Sequence, residues 1–454
     1  MSSSAKKKRG GVLSRRDFMS GAAAAAAFTI VPRHVLGGRG YKPPSEKLNI
    51  AGVGVGGQGA SDMRSLSGEN IVALCDVDFS HAARTFKRYP EARQYKDFRV
   101  MLEKEEKNID GVVVATPDHT HAIISITAMK MGKHVYCEKP LTHSVFEARR
   151  MAQVARENKV ATQMGNSGQA SVGTRVMAEY IADGALGAVR EVHSWTDRPS
   201  NGLFRVYWPQ GVGRPKEEEK VPDTLDWDLF LGPAPERPYH PAYHPFVWRG
   251  WWDFGTGALG DMGCHAFDPI FRALELEHPT SVQASSTLVN NDTFPLASTV
   301  HFQFPARQDM PPVKLTWYDG GIKPPRPDEL DEGGQLPNTG TMFVGDKGKM
   351  LGYNLIPESR RKEIGPPPEI LPRSPGHFQE WIDACKGGKP AGANFEFASL
   401  VTQVVLLGNI ALRPELRETL TRTTLKWDPV DMKITNLPEA NEYFHTEYRS
   451  GWTL

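Results

Sequence analysis

The sequence predicts an α/β protein in two parts: a parallel sheet covered by helices, then an α+β part on a largely antiparallel open sheet. Three observations carry this expectation. Short apolar runs at Leu48–Val53, Ile71–Cys75, Asp110–Thr116 and His134–Cys137 are separated by helix-length stretches, the pattern of strands buried on both faces. A glycine-rich turn, Gly54-Val55-Gly56-Gly57-Gln58-Gly59, includes the G-x-G-x-x-G spacing and follows the first run. Beyond Met164 the texture changes to partly alternating runs, Val189–Trp195, Ser281–Leu288, Ser298–Phe304 and Val313–Trp317, as on a sheet with one solvated face. At 454 residues the chain exceeds one ordinary core. We divide it into a segment 1–40, a linker 41–46, a first domain 47–165 and a second domain 166–454.

The first strand, the glycine turn, a helix and a second strand ending at Asp76 form a dinucleotide-binding Rossmann unit. Gly54 permits the tight turn. Gly56, with Gly57 and Gln58 beside it, lets the backbone approach a pyrophosphate, and Gly59 lets the helix pack on the sheet. Asp76 is placed to accept hydrogen bonds from an adenosine ribose, and its charge favours NAD over NADP, a preference softened by Ser80, His81 and Arg84, the last a candidate phosphate partner. Ligands in such sheets lie beyond the carboxyl ends of the strands. The loop after the third buried strand, with Thr116, Pro117, Asp118, His119 and His121, therefore faces the cofactor. We read His119 and His121 as loop and capping residues that shape the nicotinamide side, with ligands or bases as the alternative.

The fourth strand is followed by Glu138-Lys139-Pro140, and helical periodicity resumes over Val145–Glu157. A lysine between a strand end and a proline is held by backbone geometry on both sides. Taken in order, Gly54–Gly59, Asp76, Ala115-Thr116-Pro117-Asp118-His119-Thr120-His121 and Glu138-Lys139-Pro140 resemble the glucose–fructose oxidoreductase / inositol dehydrogenase / rhizopine-catabolism superfamily, Gfo/Idh/MocA. The resemblance covers the chain from Lys47 onward, with its most specific motifs in the first half. It implies that Lys139 sits beside the nicotinamide and the reacting hydroxyl, and it admits a cis bond before Pro140.

The second part opens with the polar connection Gly165–Gln169 and a helix over Val172–Ala182. Two Pro/Gly/charge-rich stretches, Tyr207–Lys220 and Gly320–Thr339, read as surface loops, and Phe395–Leu412 as a long apolar helix. The richest segment is Trp248 to His265. Asp261 and His265 stand four apart, on one face of a helix, where the carboxylate is positioned to fix the tautomer of the imidazole and raise its basicity. Gly-Asp-x-x-x-His here also resembles the superfamily's catalytic helix. Pro269 is expected to make that helix start late or kink. The tryptophans Trp248, Trp251 and Trp252 serve either the domain interface or the face of a sugar ring, with Trp252 taken as a substrate contact. Arg249, Tyr207, Asn166 and Gln169 are the polar candidates for substrate hydroxyls, with Asp253 and Arg205 beside them.

Residues 1–40 hold eight Lys/Arg against one acid, which leaves 46 basic and 52 acidic residues in the remainder. That body lacks the basic stripe a phosphate backbone requires, so nucleic acid is not the expected partner. Ser14-Arg15-Arg16-Asp17-Phe18-Met19 before the mild apolar stretch Gly21–Val31 resembles a twin-arginine export signal, which implies the export machinery as a partner and a periplasmic or otherwise exported enzyme. The apolar stretch is too short to span a bilayer, and no stable membrane insertion is expected downstream. Cys75, Cys137, Cys264 and Cys385 form no paired motif, so we expect no metal or disulfide framework.

These readings converge on an oxidoreductase of sugars or polyols using NAD. His265, steadied by Asp261, removes a hydroxyl proton, hydride passes to the nicotinamide, and Lys139 stabilises the developing alkoxide. An alternative assignment makes Lys139 the proton acceptor. Export calls for a retained cofactor, and the resemblance supplies two cycles that regenerate it. One is sugar-to-sugar hydride transfer. The other, our functional alternative, is glycoside cleavage by transient oxidation, elimination, hydration and re-reduction. A catalytically silent NAD-binding protein is the third reading. The open sheet face suggests a homo-oligomer.

Overall fold

Unbroken apolar runs leave no solvated strand face, and the chain accordingly builds a fully parallel six-stranded sheet. The computed structural model describes residues 46–200, 205–416 and 423–454. The expected export segment 1–40, with its arginine pair, and nearly all of the linker 41–46 lie outside the described residues. The first sheet comprises β1 (Asn49–Val53), β2 (Asn70–Cys75), β3 (Arg93–Tyr95), β4 (Gly111–Val114), β5 (His134–Cys137) and β6 (Thr162–Met164). Its order is β3-β2-β1-β4-β5-β6, so the direction of winding reverses between β1 and β4 and opens a crevice at their carboxyl ends.

Helices α1 (Gly57–Ser65), α2 (Phe79–Arg88), α3 (Phe98–Lys104), α4 (Asp118–Lys130) and α5 (Val145–Asn158) connect these strands. Local chemistry sets several of their starts. The Asp78 carboxylate caps α2 by accepting from the Ser80 and His81 N–H groups, and Ser144 with Glu147 forms a reciprocal capping box on α5.

The second part follows with α6 (Val172–Ala182), β7 (Val189–Trp195), α7 (Trp227–Leu231), α8 (Gly257–Leu274), β8 (Ser281–Ser286), β9 (Ser298–Phe304) and β10 (Val313–Tyr318). Then come β11 (Gly340–Gly345), β12 (Lys349–Leu351), β13 (Asn354–Ile356), α9 (Glu358–Ile364), α10 (His377–Cys385), α11 (Phe395–Ile410), β14 (Leu425–Asp428) and β15 (Lys433–Ile434). They form a nine-stranded sheet, β13-β12-β11-β7-β10-β9-β8-β14-β15, antiparallel except for the β7–β10 pair. Alternation is plain in β9, where Val300, Phe302 and Phe304 are buried while His301 and Gln303 lie toward the other face.

One apolar core runs through both sheets, joining Val112 and Val135 of the first to Phe302 and Trp317 of the second. Helix α11, buried nearly all round, packs against α5 and α8 in its middle. The chain also returns to the first sheet. Trp381 of α10 is fully buried against Ile50, Val113 and Tyr136, and a side chain on Gly111 would stand 3.1 Å from its ring.

Two expectations need correction. Pro269 neither delays nor ends α8, which begins at Gly257 and continues to Leu274 with the proline inside. A proline removes one backbone bond, here to the His265 carbonyl, and burial of Phe267, Ile270 and Phe271 outweighs that loss. The Tyr207–Lys220 stretch is surface loop only from Gly211 onward. Trp208 and Gln210 are buried, and the Trp208 indole N–H donates to Gln210 at 2.8 Å.

Candidate active site

At the crevice between β1 and β4 lies a cleft of about 410 Å³. Its floor is the glycine turn. Gly54 takes φ of +77°, and a Cβ there would lie 2.8 Å from the Ala115 carbonyl group. On Gly59 a Cβ would sit 2.0 Å from the Gly54 carbonyl oxygen, so the start of α1 can approach the turn only without a side chain. Gly54, Gly56, Gly57 and Gln58 line the cleft, whereas Gly59 is buried behind it. Asp76 is buried at the tip of β2 and accepts from the Gly56 and Asp78 N–H groups at 3.1 and 3.0 Å. Burial raises its pKa to about 6 against those hydrogen bonds. The residues fit a dinucleotide: Gly56–Gln58 for the pyrophosphate, Asp76 for the ribose, and the β4–β5 side for the nicotinamide. Arg84 is exposed on α2 and does not line the cleft, whereas Lys96 and His81 line it with Asp76.

The β4 and β5 edges carry the reactive groups. Thr116 and Pro117 lead into α4, and Thr120 Oγ1 donates to Thr116 Oγ1 at 2.8 Å. His121 lies with its two ring nitrogens 2.8 Å from the Pro140 and Thr116 carbonyl oxygens, tying the β4 loop to the β5 loop. The Lys139–Pro140 peptide bond is cis. Lys139 Nζ donates to Asp261 Oδ1 at 2.7 Å and to the Asp261 carbonyl at 3.0 Å, and Arg249 Nε donates to the same Oδ1 at 3.0 Å. Burial would raise the Asp261 carboxyl, but Lys139 and Arg249 prevail and hold it well below the usual carboxylate range. Glu138 beside them is buried, and burial raises its pKa.

His265, one turn beyond Asp261 on α8, also lines the cleft. Burial and the charge of Lys139 push its imidazole down to about 3, so it is neutral at physiological pH. Among the described residues its ring has no hydrogen-bond partner. The expected Asp261–His265 hydrogen bond is therefore a correction: two cations compete for the carboxylate, and a neutral imidazole does not displace them.

Other sequence candidates lie elsewhere. The ring of His119 is turned away from the cleft, its nitrogens 3.2 and 3.0 Å from the Phe254 and Phe230 carbonyl oxygens, and burial pushes its pKa down to about 3. Asn166 is buried under α8, where its amide donates to the Cys264 carbonyl at 2.9 Å. Gln169 donates to Glu380 at 2.7 Å, and the Tyr207 hydroxyl to Asp197 at 3.0 Å. Trp252 is buried against Phe294 and donates to the Asn290 carbonyl. None of these four lines the cleft. Asp253 is paired with Arg237. Each candidate was polar or aromatic, and each meets its partner from a distant stretch of sequence. Conversely, Trp452, Phe98 and His244 line the cleft, and no local motif marks them as doing so. Arg249 and Trp248 do line it, with the guanidinium 4.3 Å over the indole.

Sheet order, glycine turn and acidic strand tip define a dinucleotide-binding α/β protein with a lysine and a histidine lining the same cleft. Two family descriptions match the chain: an oxidoreductase family's NAD-binding Rossmann fold over residues 48–166, and its C-terminal alpha/beta domain over residues 181–305. The chain belongs to this family, the Gfo/Idh/MocA oxidoreductases, and carries its NAD-binding fold. It is 28% identical over 147 residues to an inositol 2-dehydrogenase of Salmonella paratyphi B, covering 31% of this chain and 43% of that enzyme. It is 27% identical over 187 residues to a levoglucosan dehydrogenase of Pseudarthrobacter phenanthrenivorans, covering 41% and 38%. The chain thus spans less than half the length of these relatives. In fold it is similar to the WlbA dehydrogenase of Bordetella pertussis, solved with NADH and UDP-GlcNAcA (TM-score 0.57, 16% identity, 84% of this chain and 99% of that one). An aldose-aldose oxidoreductase of Caulobacter crescentus gives a TM-score of 0.53 at 17% identity, over 84% and 99%.

Proposed function

We propose that this protein transfers hydride between NAD and a hydroxyl-bearing carbon of a sugar or polyol. The observation that carries the reading is the pairing of an ammonium clamped by Asp261 with a neutral, unpartnered imidazole in one cleft. His265 has a free lone pair at neutral pH and accepts the proton of the substrate hydroxyl. Lys139, fixed through its ion pair, lowers the energy of the alkoxide that forms. Arg249 completes the clamp and, stacked on Trp248, braces one wall. Bound NAD supplies the hydride acceptor. The inositol and levoglucosan dehydrogenases among the relatives support a polyhydroxylated substrate.

The test is steady-state turnover of a sugar and polyol panel by wild type, Lys139→Met and His265→Gln. Each variant should lose about 10²–10⁴-fold in kcat while NAD affinity stays within a few-fold. Unchanged turnover in both would refute the assignment.

The twin-arginine-like segment supports export of the folded, cofactor-loaded enzyme, to be checked by cell fractionation with and without Arg15 and Arg16. The half-buried polar face of the second sheet supports pairing of two copies, to be checked by light scattering.

A further inference from the structure

A second cavity, of about 240 Å³, lies beside the first. It takes in His119 of α4, while Asp118 and Thr120 line the cleft, and no residue lines both spaces. A single buried water needs only roughly 10–15 Å³ by the same measure, so this space suits a larger guest.

Its chemistry is unbalanced in two ways. The Arg413 guanidinium lies 4.5 Å from the Trp252 ring centre and 4.7 Å from that of Tyr443. Among the described residues it has neither an ion pair nor a hydrogen bond, and burial lowers its pKa. A partly desolvated, flat cation with unused donors favours a carboxylate. Two unmet acceptors line the same space. Asn409 is 6% exposed; its amide nitrogen donates to the Thr256 carbonyl at 2.8 Å, which leaves Oδ1 buried without a partner. His143 Nε2 lies 3.1 Å from the Gly255 carbonyl and so carries the proton, leaving Nδ1 a buried, unpaired acceptor. Buried acceptors without donors are costly, and hydroxyl groups would satisfy both. Ser144, the N-cap of α5, and Val145 complete this part of the wall, with the helix end already capped by Glu147.

We infer that this cavity is a binding site for a small hydroxylated carboxylate, with the carboxylate on Arg413 and hydroxyls donating to Asn409 Oδ1 and His143 Nδ1. The site is separate from the redox cleft, and the inference does not depend on the reaction proposed there. Two carboxylates also border the space: Asp253 is neutralised by Arg237 and Arg214, whereas Glu447 has no ion pair among the described residues.

Calorimetric titration of the full chain, saturated with NAD, tests this with D-gluconate as probe and D-glucose as its uncharged counterpart. Gluconate should bind, and glucose at least tenfold more weakly. Arg413→Gln and Asn409→Leu, each checked for folding by thermal melting, should weaken gluconate at least tenfold, whereas His265→Gln should leave it within twofold. Absence of gluconate binding overturns the inference. So does equal binding of glucose, or loss of binding in His265→Gln with Arg413→Gln unaffected, which would place the anion in the redox cleft.

Discussion

Asp261 holds two cations, Lys139 at 2.7 Å and Arg249 at 3.0 Å, with both partners of the lysine pair only 12% exposed at the side chain. Removing the charge leaves two buried cations together, so Asp261→Asn should cost about 3–5 kcal/mol in stability and reduce turnover, read by denaturant melting and kinetics. His119 gives a pH test with a defined sign. Its ring is neutral in the fold down to about pH 3 and takes up a proton near pH 6.5 when unfolded. The contribution to stability is therefore whole above pH 6.5 and is lost as pH falls toward 3. Relative to His119→Asn, wild type should lose about 2 kcal/mol between pH 7 and pH 5; a gap constant with pH would contradict the burial of a neutral ring. At this scale the sequence was readable where the backbone fixes direction, as for Asp76 and Lys139 at strand ends. It was unreadable for Asn166, Gln169, Tyr207 and Trp252, because residue type alone does not say which way a side chain turns.

The turn after β1 shows how an element enforces geometry. Gly59→Ala would drive a methyl group into the Gly54 carbonyl oxygen at 2.0 Å, with backbone on both sides of the clash. It should cost about 1–3 kcal/mol and at least tenfold in NAD affinity. At Gly57 the nearest atom to an added Cβ is His81 Nε2 at 3.7 Å, so Gly57→Ala should alter stability by no more than about 0.5 kcal/mol. Melting curves and NAD titrations of the two variants separate the positions. The buried parallel strands and α5, α6 and α11 were legible because each carries an apolar run or a helical period of its own. The short strands β3, β12, β13 and β15 carry too few residues for a period: β12 with β13 and β14 with β15 form tight hairpins, and β3 exists through pairing with β2. Helix α8 defied the Pro269 signal because burial of its faces outweighs one missing backbone bond.

Across the molecule, a shared core joins the two sheets, so the groups of α8 reach Lys139 from a frame packed continuously with the first sheet. Binding at the cleft should therefore stabilise the body as a whole, by an amount that grows with the ratio of free ligand to Kd. NAD should raise Tm more than NADP at equal concentration, since a 2′-phosphate would meet the buried Asp76 carboxylate. Equal shifts would contradict the role given to Asp76. Contacts between residues hundreds of positions apart, such as Tyr136 with Trp381 or Phe98 with Trp452, belong to this scale and leave no local trace in the sequence.

The most direct test of the central claim is to incubate the protein with NAD and a panel of sugars, polyols and aryl glycosides, following reduced cofactor by absorbance and products by mass. A product two hydrogens lighter than its substrate, formed in step with NADH and abolished in Lys139→Met, is the predicted result. Aglycone release without net NADH, or NADH formation that persists unchanged in Lys139→Met, would contradict it.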